Sequence, residues 1–239
     1  MNIATFGCSF TSGLEQEGGY NWVRFYARKY PQHTFYNLAY PGSSLAFQMF
    51  LLKEIKKHVR IDKTIFQITT PFRFTYFNDF NKFNIMELEK ENNLNYFKLG
   101  FNDNIDPVLP TQIHMPQIWE SPSGKKKEAR LRKFAEDYIG KISPQVETVD
   151  YVSKIEWLRN KADFIFFHRE PTRFFHEFYA DLSKRFPTEP LPELDDIACL
   201  EKEISRSKFI DFAIDTQYHF SEDGACWEAD WVDSKFKLD

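Results

Sequence analysis

A short apolar run at the start of the chain, Ile3-Ala4-Thr5-Phe6, stops abruptly at Gly7. The residues that follow, Cys8 to Gly13, are small or polar apart from Phe10. Strand-forming residues halted by glycine read as a buried strand ending in a tight turn. In an open α/β sheet, the ends of the strands are where ligands are handled. Ser9 stands in that turn with no bulky side chain immediately before it, so its hydroxyl can be exposed. It is the candidate nucleophile, and the rest of the chain must supply its base, its oxyanion donors and its pocket.

The same unit recurs. Tyr20 to Tyr30 carries Trp22, Val23, Phe25, Tyr26 and Tyr30 at helical spacing, with Trp22 expected in the core. Pro31 ends that helix. Thr34 to Leu38 reads as a second strand, running into the small-residue turn Asn37-Leu38-Ala39-Tyr40-Pro41-Gly42-Ser43-Ser44. Ser43 or Ser44 caps a helix from Leu45 to about Val59. Thr64 to Ile68 is a third strand, ended by Pro71. Alternating strands and helices predict a parallel sheet with right-handed crossovers.

From about 72 to 127 the periodicity dissolves, which predicts an irregular insertion after strand three. Glu87 to Glu91 reads as a helical turn and Tyr96 to Phe101 as a short strand. The aromatics Phe72, Phe74, Tyr76, Phe77, Phe80 and Phe83 are expected to bury the insertion against the domain rather than to line a pocket or lid. Lys125 to Lys127 reads as a solvated loop or helix start. Further helices are expected at Glu128–Tyr138, Ser143–Lys161, Phe174–Phe186 and Leu194–Ile204. Ala162 to His168 is a fourth strand and Phe209 to Ile214 a fifth, followed by Asp215. Ser221 caps a terminal helix bearing Trp227 and Trp231.

At 239 residues the chain suits one large α/β domain spanning 1–239. A net charge of −4 argues against broad phosphate-backbone binding, so no nucleic-acid partner is expected. With 26 phenylalanines, much of the core volume must come from phenyl rings. The cysteines, Cys8, Cys199 and Cys226, neither pair evenly nor show metal spacing, and read as free thiols in a reducing compartment. No signal peptide precedes the first strand and no apolar run is long enough to span a membrane. A cytoplasmic protein without a membrane partner is expected.

An acyl-transfer site needs a nucleophile, a base within hydrogen-bond reach, a group to orient the base, and preorganised oxyanion donors. Ser9 ends strand one. Gly42 lies in the turn after strand two, where no Cβ blocks the approach of its N–H to a substrate. Asp215 and His219 follow the last expected strand. In a parallel sheet these strand ends share one edge, so the turns converge on one crevice.

These residues resemble the SGNH/GDSL hydrolases. The resemblance rests on Phe6-Gly7-Cys8-Ser9-Phe10-Thr11, on Asn37 to Ser43, and on Asp215 to Gly224 (DTQYHFSEDG), in that order along the chain. It implies a flavodoxin-like three-layer α/β/α sandwich, here with a mostly parallel five-stranded sheet. It also implies hydrolysis of a small acyl ester, such as a carbohydrate O-acetyl group, through an acyl-enzyme. Ser9 would be the nucleophile, His219 the general base and then acid, and Asp215 the residue that orients His219. The backbone N–H groups of Ser9 and Gly42 would form the oxyanion hole. The partner is a small-molecule or glycan ester.

The chain departs from the family pattern in three places. Cys8 stands where the family commonly has Asp; it is read as a buried small residue and not as a rival nucleophile. Three residues separate Asp215 from His219 where two are usual. No Asn follows strand three, where the stretch reads Ile68-Thr69-Thr70-Pro71-Phe72-Arg73. Thr70 or Arg73 then supplies the third oxyanion donor, or the hole has two. His168-Arg169-Glu170, at a strand end, reads as a structural salt bridge. His33, His58, His114 and His176 lack metal-ligand spacing, so no metal and no cofactor are expected. Other functions on the same fold are an O-acyltransferase, an inert binding protein and a phosphate-binding domain. The last lacks a glycine-rich fingerprint and a Walker lysine.

Overall fold

A computed structural model describes residues 1–13, 20–69, 73–76, 83–101, 111–114, 144–171, 194–214 and 219–238. Among these, seven strands form one sheet. In chain order they are β1 (Asn2–Phe6), β2 (Thr34–Asn37), β3 (Lys63–Ile68), β5 (Phe83–Glu91), β6 (Leu94–Phe101), β8 (Phe164–Phe167) and β9 (Ala198–Cys199). Two more, β4 (Arg73–Tyr76) and β7 (Thr111–His114), pair antiparallel as a separate ribbon. The main sheet runs β5-β6-β2-β1-β3-β8-β9. Every adjacent pair is parallel except β5 with β6.

The strands sort their side chains by the two-residue period of the pleat. On β1, Ala4 and Phe6 join one buried cluster and Ile3 the other. On β3, Phe66 and Ile68 go to the first face and Ile65 to the second; on β8, Phe167 and Phe166 divide in the same way. The first face is covered by α3 (Leu45–His58) and α4 (Pro144–Arg159), through Leu51, Leu52, Ile55, Tyr151, Ile155 and Leu158. The second is covered by α2 (Trp22–Lys29) and α6 (Glu222–Lys235), through Trp22, Val23, Tyr26, Ala229, Trp231 and Val232. The result is a three-layer α/β/α sandwich with a mostly parallel sheet. From β2 outward the strand order is second, first, third, fourth, fifth, the flavodoxin-like winding. Its direction reverses between β1 and β3, and doubly wound sheets open their ligand crevice at such a point.

Helix ends follow the expected side chains. Ser44 accepts from the Phe47 N–H to cap α3, and Ser221 accepts from the Gly224 N–H to cap α6. Trp22 is fully buried, as its helical spacing predicted. Among the described residues, no helix is long and apolar enough to cross a membrane.

The sheet has more strands than the five expected, and the insertion is less irregular. Residues 83–101 form a hairpin whose second strand pairs with β2 and extends the main sheet. Its turn places Asn92 at φ 55°, a left-handed conformation asparagine tolerates. Glu87 to Glu91, read as a helical turn, is strand, with a register shift between Glu87 and Glu89. Phe209 to Ile214, read as the fifth strand, is mostly the helix α5 (Arg206–Phe212). Its cap, Ser205, accepts from the Lys208 N–H. Phe209 and Phe212 stand three residues apart, a helical spacing, with Phe209 buried and Ile210 exposed. The parallel strand that follows β8 is instead β9, inside the Leu194–Ile204 stretch read as helical; a 3-10 turn follows at Leu200–Glu203. Two residues are too few to show a period. The expected helices at Glu128–Tyr138 and Phe174–Phe186, the Lys125–Lys127 run, and Phe72, Phe77 and Phe80 lie outside the described residues.

Phenyl rings fill the center of the sandwich. Phe6 and Phe66 are lateral partners on β1 and β3 and stack at 4.3 Å, both fully buried. Phe66→Ala is expected to destabilise the fold by about 3–5 kcal/mol, because it removes a whole ring from a closely packed site. Urea unfolding of the two proteins measures the difference.

Candidate active site

The site starts at Gly7, where β1 ends and the chain turns into the single helical turn α1 (Ser9–Ser12). A Cβ at Gly7 would lie 2.2 Å from Thr11 Oγ1 and 2.6 Å from Thr11 Cβ, so only glycine permits the turn. Gly13 closes α1 at φ 66°. Ser9 takes the first helical position, where a backbone N–H has no carbonyl one turn earlier to bond.

Thr11 locks this turn to its surroundings. Its hydroxyl donates to Gln67 Oε1 on β3 and accepts from Trp22 Nε1 on α2 at 3.2 Å. Its carbonyl accepts from Asn37 Nδ2 at the end of β2, 2.9 Å away. The second turn is stitched to the first through one oxygen. The Gly7 carbonyl accepts from the Tyr40 N–H at 3.2 Å and from the Ser43 hydroxyl at 2.8 Å. Those two residues flank Pro41-Gly42, the Ser43 N–H donates back to the Tyr40 carbonyl at 3.0 Å, and Gly42 has φ 70°. Pro followed by a left-handed Gly is the chemistry of a type II turn. Gly42 is thereby held beside the turn that carries Ser9. Of the two serines considered as caps, Ser44 caps α3, and Ser43 ties the turns together while accepting from Gln48 Nε2 at 2.9 Å.

His219 arrives from the other end of the chain. Its Nε2 lies 2.8 Å from Ser9 Oγ across 210 residues of sequence. The Ile214 N–H donates to the His219 carbonyl at 2.8 Å, and Ala213 and Phe220 form an antiparallel bridge. The Ser221 N–H donates to the Phe212 carbonyl at 2.7 Å, and Ser221 then caps α6. Gly224, in the first turn of α6, lets that helix approach closely: a Cβ there would lie 2.8 Å from Phe212 Cβ and 2.9 Å from Phe220 Cβ. His219 is buried and packs 5.0 Å from the Phe10 ring, while Ser9 stays half-buried. With Nδ1 carrying the imidazole proton, Nε2 accepts from the Ser9 hydroxyl, the arrangement that lets the ring withdraw that proton.

The other expected site residues are placed less fully. Asp215 and Thr70 lie outside the described residues, and Arg73 is described by its backbone alone, at the start of β4. His168 and Arg169 each meet a carboxylate, and Arg169 forms the salt bridge expected of this strand-end cluster. His168 Nδ1 lies 2.9 Å from Glu228 Oε1, and Arg169 lies 3.2 Å from Glu201 Oε1. Sequence reasoning missed the roles of Thr11, Asn37 and Gln67. Asn37 at a strand end and Gln67 inside an apolar strand were signals, since a buried amide must find partners. Among the described residues no cluster of three or more His, Cys, Asp or Glu side chains could hold a metal.

No family model matches this chain, and no curated protein matches it. The site is therefore read from its own geometry.

Cys8 is buried beneath the turn, its sulfur 3.9 Å from Gln67 Oε1. Cys199 is also buried, and burial pushes its thiol up to about 11. Cys226 alone of the three is exposed. A disulfide reagent is expected to titrate one thiol, Cys226, in the native protein and all three after unfolding. Gly7→Ala is expected to cost about 1–3 kcal/mol, as a methyl group forced into a packed site does. Wild-type stability of that variant in chemical denaturation would show that the turn can yield.

Proposed function

We propose that the chain is a serine hydrolase of the SGNH/GDSL kind, one domain over 1–239, that cleaves a small acyl ester through an acyl-enzyme. The observation that carries this reading is the 2.8 Å contact between His219 Nε2 and Ser9 Oγ at the switch point of the sheet. Ser9 Oγ attacks the carbonyl carbon while its proton passes to His219 Nε2. The carbonyl oxygen becomes an oxyanion beside the N–H groups of Ser9 and Gly42. Collapse of this intermediate breaks the ester C–O bond, and the imidazolium returns the proton to the departing alkoxide. Water then attacks the acyl-enzyme and gives a proton to His219, and the imidazolium returns it to Ser9 Oγ as the acyl C–Oγ bond breaks and the acid leaves.

Asp215 takes the role of orienting His219. Thr70 or Arg73 takes the place of the family's third oxyanion donor. A hole with one donor fewer runs about two to three orders of magnitude slower, so a modest rate accords with this reading. The substrate class is a small-molecule or glycan ester, such as an O-acetyl sugar. The chemistry needs no cofactor, nucleic acid or membrane, and the free thiols suit a cytoplasmic setting.

Hydrolysis of p-nitrophenyl acetate by the wild type, Ser9→Ala and His219→Asn tests the reading. Each exchange is expected to lower kcat/KM by at least about a thousandfold. Equal rates in wild type and Ser9→Ala would refute it. Fluorophosphonate adducts, located by mass spectrometry, should sit on Ser9; adducts confined to Cys8 would move the nucleophile to the neighbouring residue.

A further inference from the structure

We propose that His168 is the positioning residue of the candidate site, a wedge held by Glu228 that sets Ser9 and His219 at hydrogen-bonding distance. This rests on the proposed function for its chemistry and on packing for its geometry. His168 directly follows β8, one residue beyond the last paired residues, Ile68 and Phe167. It is 2 % exposed, and its ring touches a neighbour of each half of the pair. Phe10, the residue after Ser9, stacks on it at 4.3 Å with an interplanar angle of 11°. Phe220, the residue after His219, packs against it at 4.6 Å. Phe209, from α5, covers it at 5.6 Å. One imidazole thus stands between the turn at the beginning of the chain and the segment near its end.

A wedge must itself be fixed, and Glu228 on α6 does this. Glu228 Oε1 lies 2.9 Å from His168 Nδ1, with both side chains buried to within a few per cent. The hydrogen bond between Nδ1 and this carboxylate sets the rotation of the ring. The anchor lies on the same helix whose first turn, through Gly224, backs Phe220. Movement of α6 would therefore carry Glu228, His168 and Phe220 together. Phe10 also contacts His219 at 5.0 Å, so the His168 ring supports the ring that packs against the base. The chemistry at Ser9 gains from this because a shift of one ångström between reacting groups is enough to lose most of the rate.

The test compares Glu228→Gln, which keeps a hydrogen-bond partner for Nδ1, with the double exchange His168→Phe/Glu228→Leu, which removes the anchor without stranding a buried charge. Two readouts are the rate of Ser9 modification by a fluorophosphonate and the 15N resonances of His219. Glu228→Gln should label within about threefold of wild type, and the folded double variant at least about tenfold more slowly. In the double variant the His219 Nε2 resonance should move to where Ser9→Ala puts it. A folded double variant with the wild-type rate and resonance would overturn the proposal, leaving the pair a stabilising role only. Should the double variant not fold, His168→Gln, which keeps a donor to Glu228 but loses the ring, decides on the same resonance. If wild-type Ser9 is never labelled, the hydrolase reading fails, and the His219 resonance still decides whether His168 sets the contact.

Discussion

The end of β1 holds the rest of the site in place. The Gly7 carbonyl binds the second turn, and the missing side chain of Gly7 admits Thr11. Thr11 in turn binds β2, β3 and α2 through Asn37, Gln67 and Trp22. Four elements therefore depend on one glycine fitting a space in which a methyl group has no room. Such a joint is stiff because its hydrogen bonds are buried, and breaking one would strand a desolvated donor or acceptor.

The long reach from Ser9 to His219 is closed by hydrophobic burial on the opposite layer. α6 packs on α2, and Ala229, Trp231 and Val232 join the cluster of Trp22, Val23 and Tyr26. Removing such side chains from water is worth about 1.5–3 kcal/mol each, enough to offset the entropy of closing so long a loop. Directional bonds then fix the register. The Tyr26 hydroxyl donates to the Phe236 carbonyl at 2.5 Å, and the Tyr30 hydroxyl donates to Asp233 at 2.5 Å. Burial raises the Tyr26 hydroxyl's pKa far above its usual range, which keeps it a neutral donor. With α6 placed, the short segment from Phe212 to Ser221 has little freedom left, and His219 follows.

The legible parts of the fold were those with strong local signals. Ile3–Phe6 before Gly7, Leu45–Ile55 after Ser44, and Ser221 before an acidic first turn each carry period, cap and stop in a few neighbouring residues. The parts that misled were short or two-faced. Phe209-Ile210-Asp211-Phe212 is rich in strand-forming residues but coils into a helix that buries Phe209 beside Phe220 and leaves Ile210 in water. Ala198–Cys199 becomes a strand because β8 offers it an open edge, a partner that no local window reveals. The hairpin at 83–101 joins the sheet at β2 for the same reason, helped by a buried Asn95 whose amide donates to the Phe35 carbonyl.

By itself the sequence determined the alternation of β1, α2, β2, α3 and β3 and the residues that end those three strands. Apolar periodicity and glycine stops are local, and parallel strands place their ends on one rim. Only the tertiary structure decided that Ser9 and His219 touch, that Gly42 is held against the first turn by a shared carbonyl, and that His168 stands behind both halves of the pair. Those contacts join residues up to 210 positions apart. Their distances depend on how side chains of particular volume pack between layers, and that packing has no period along the chain from which to read it.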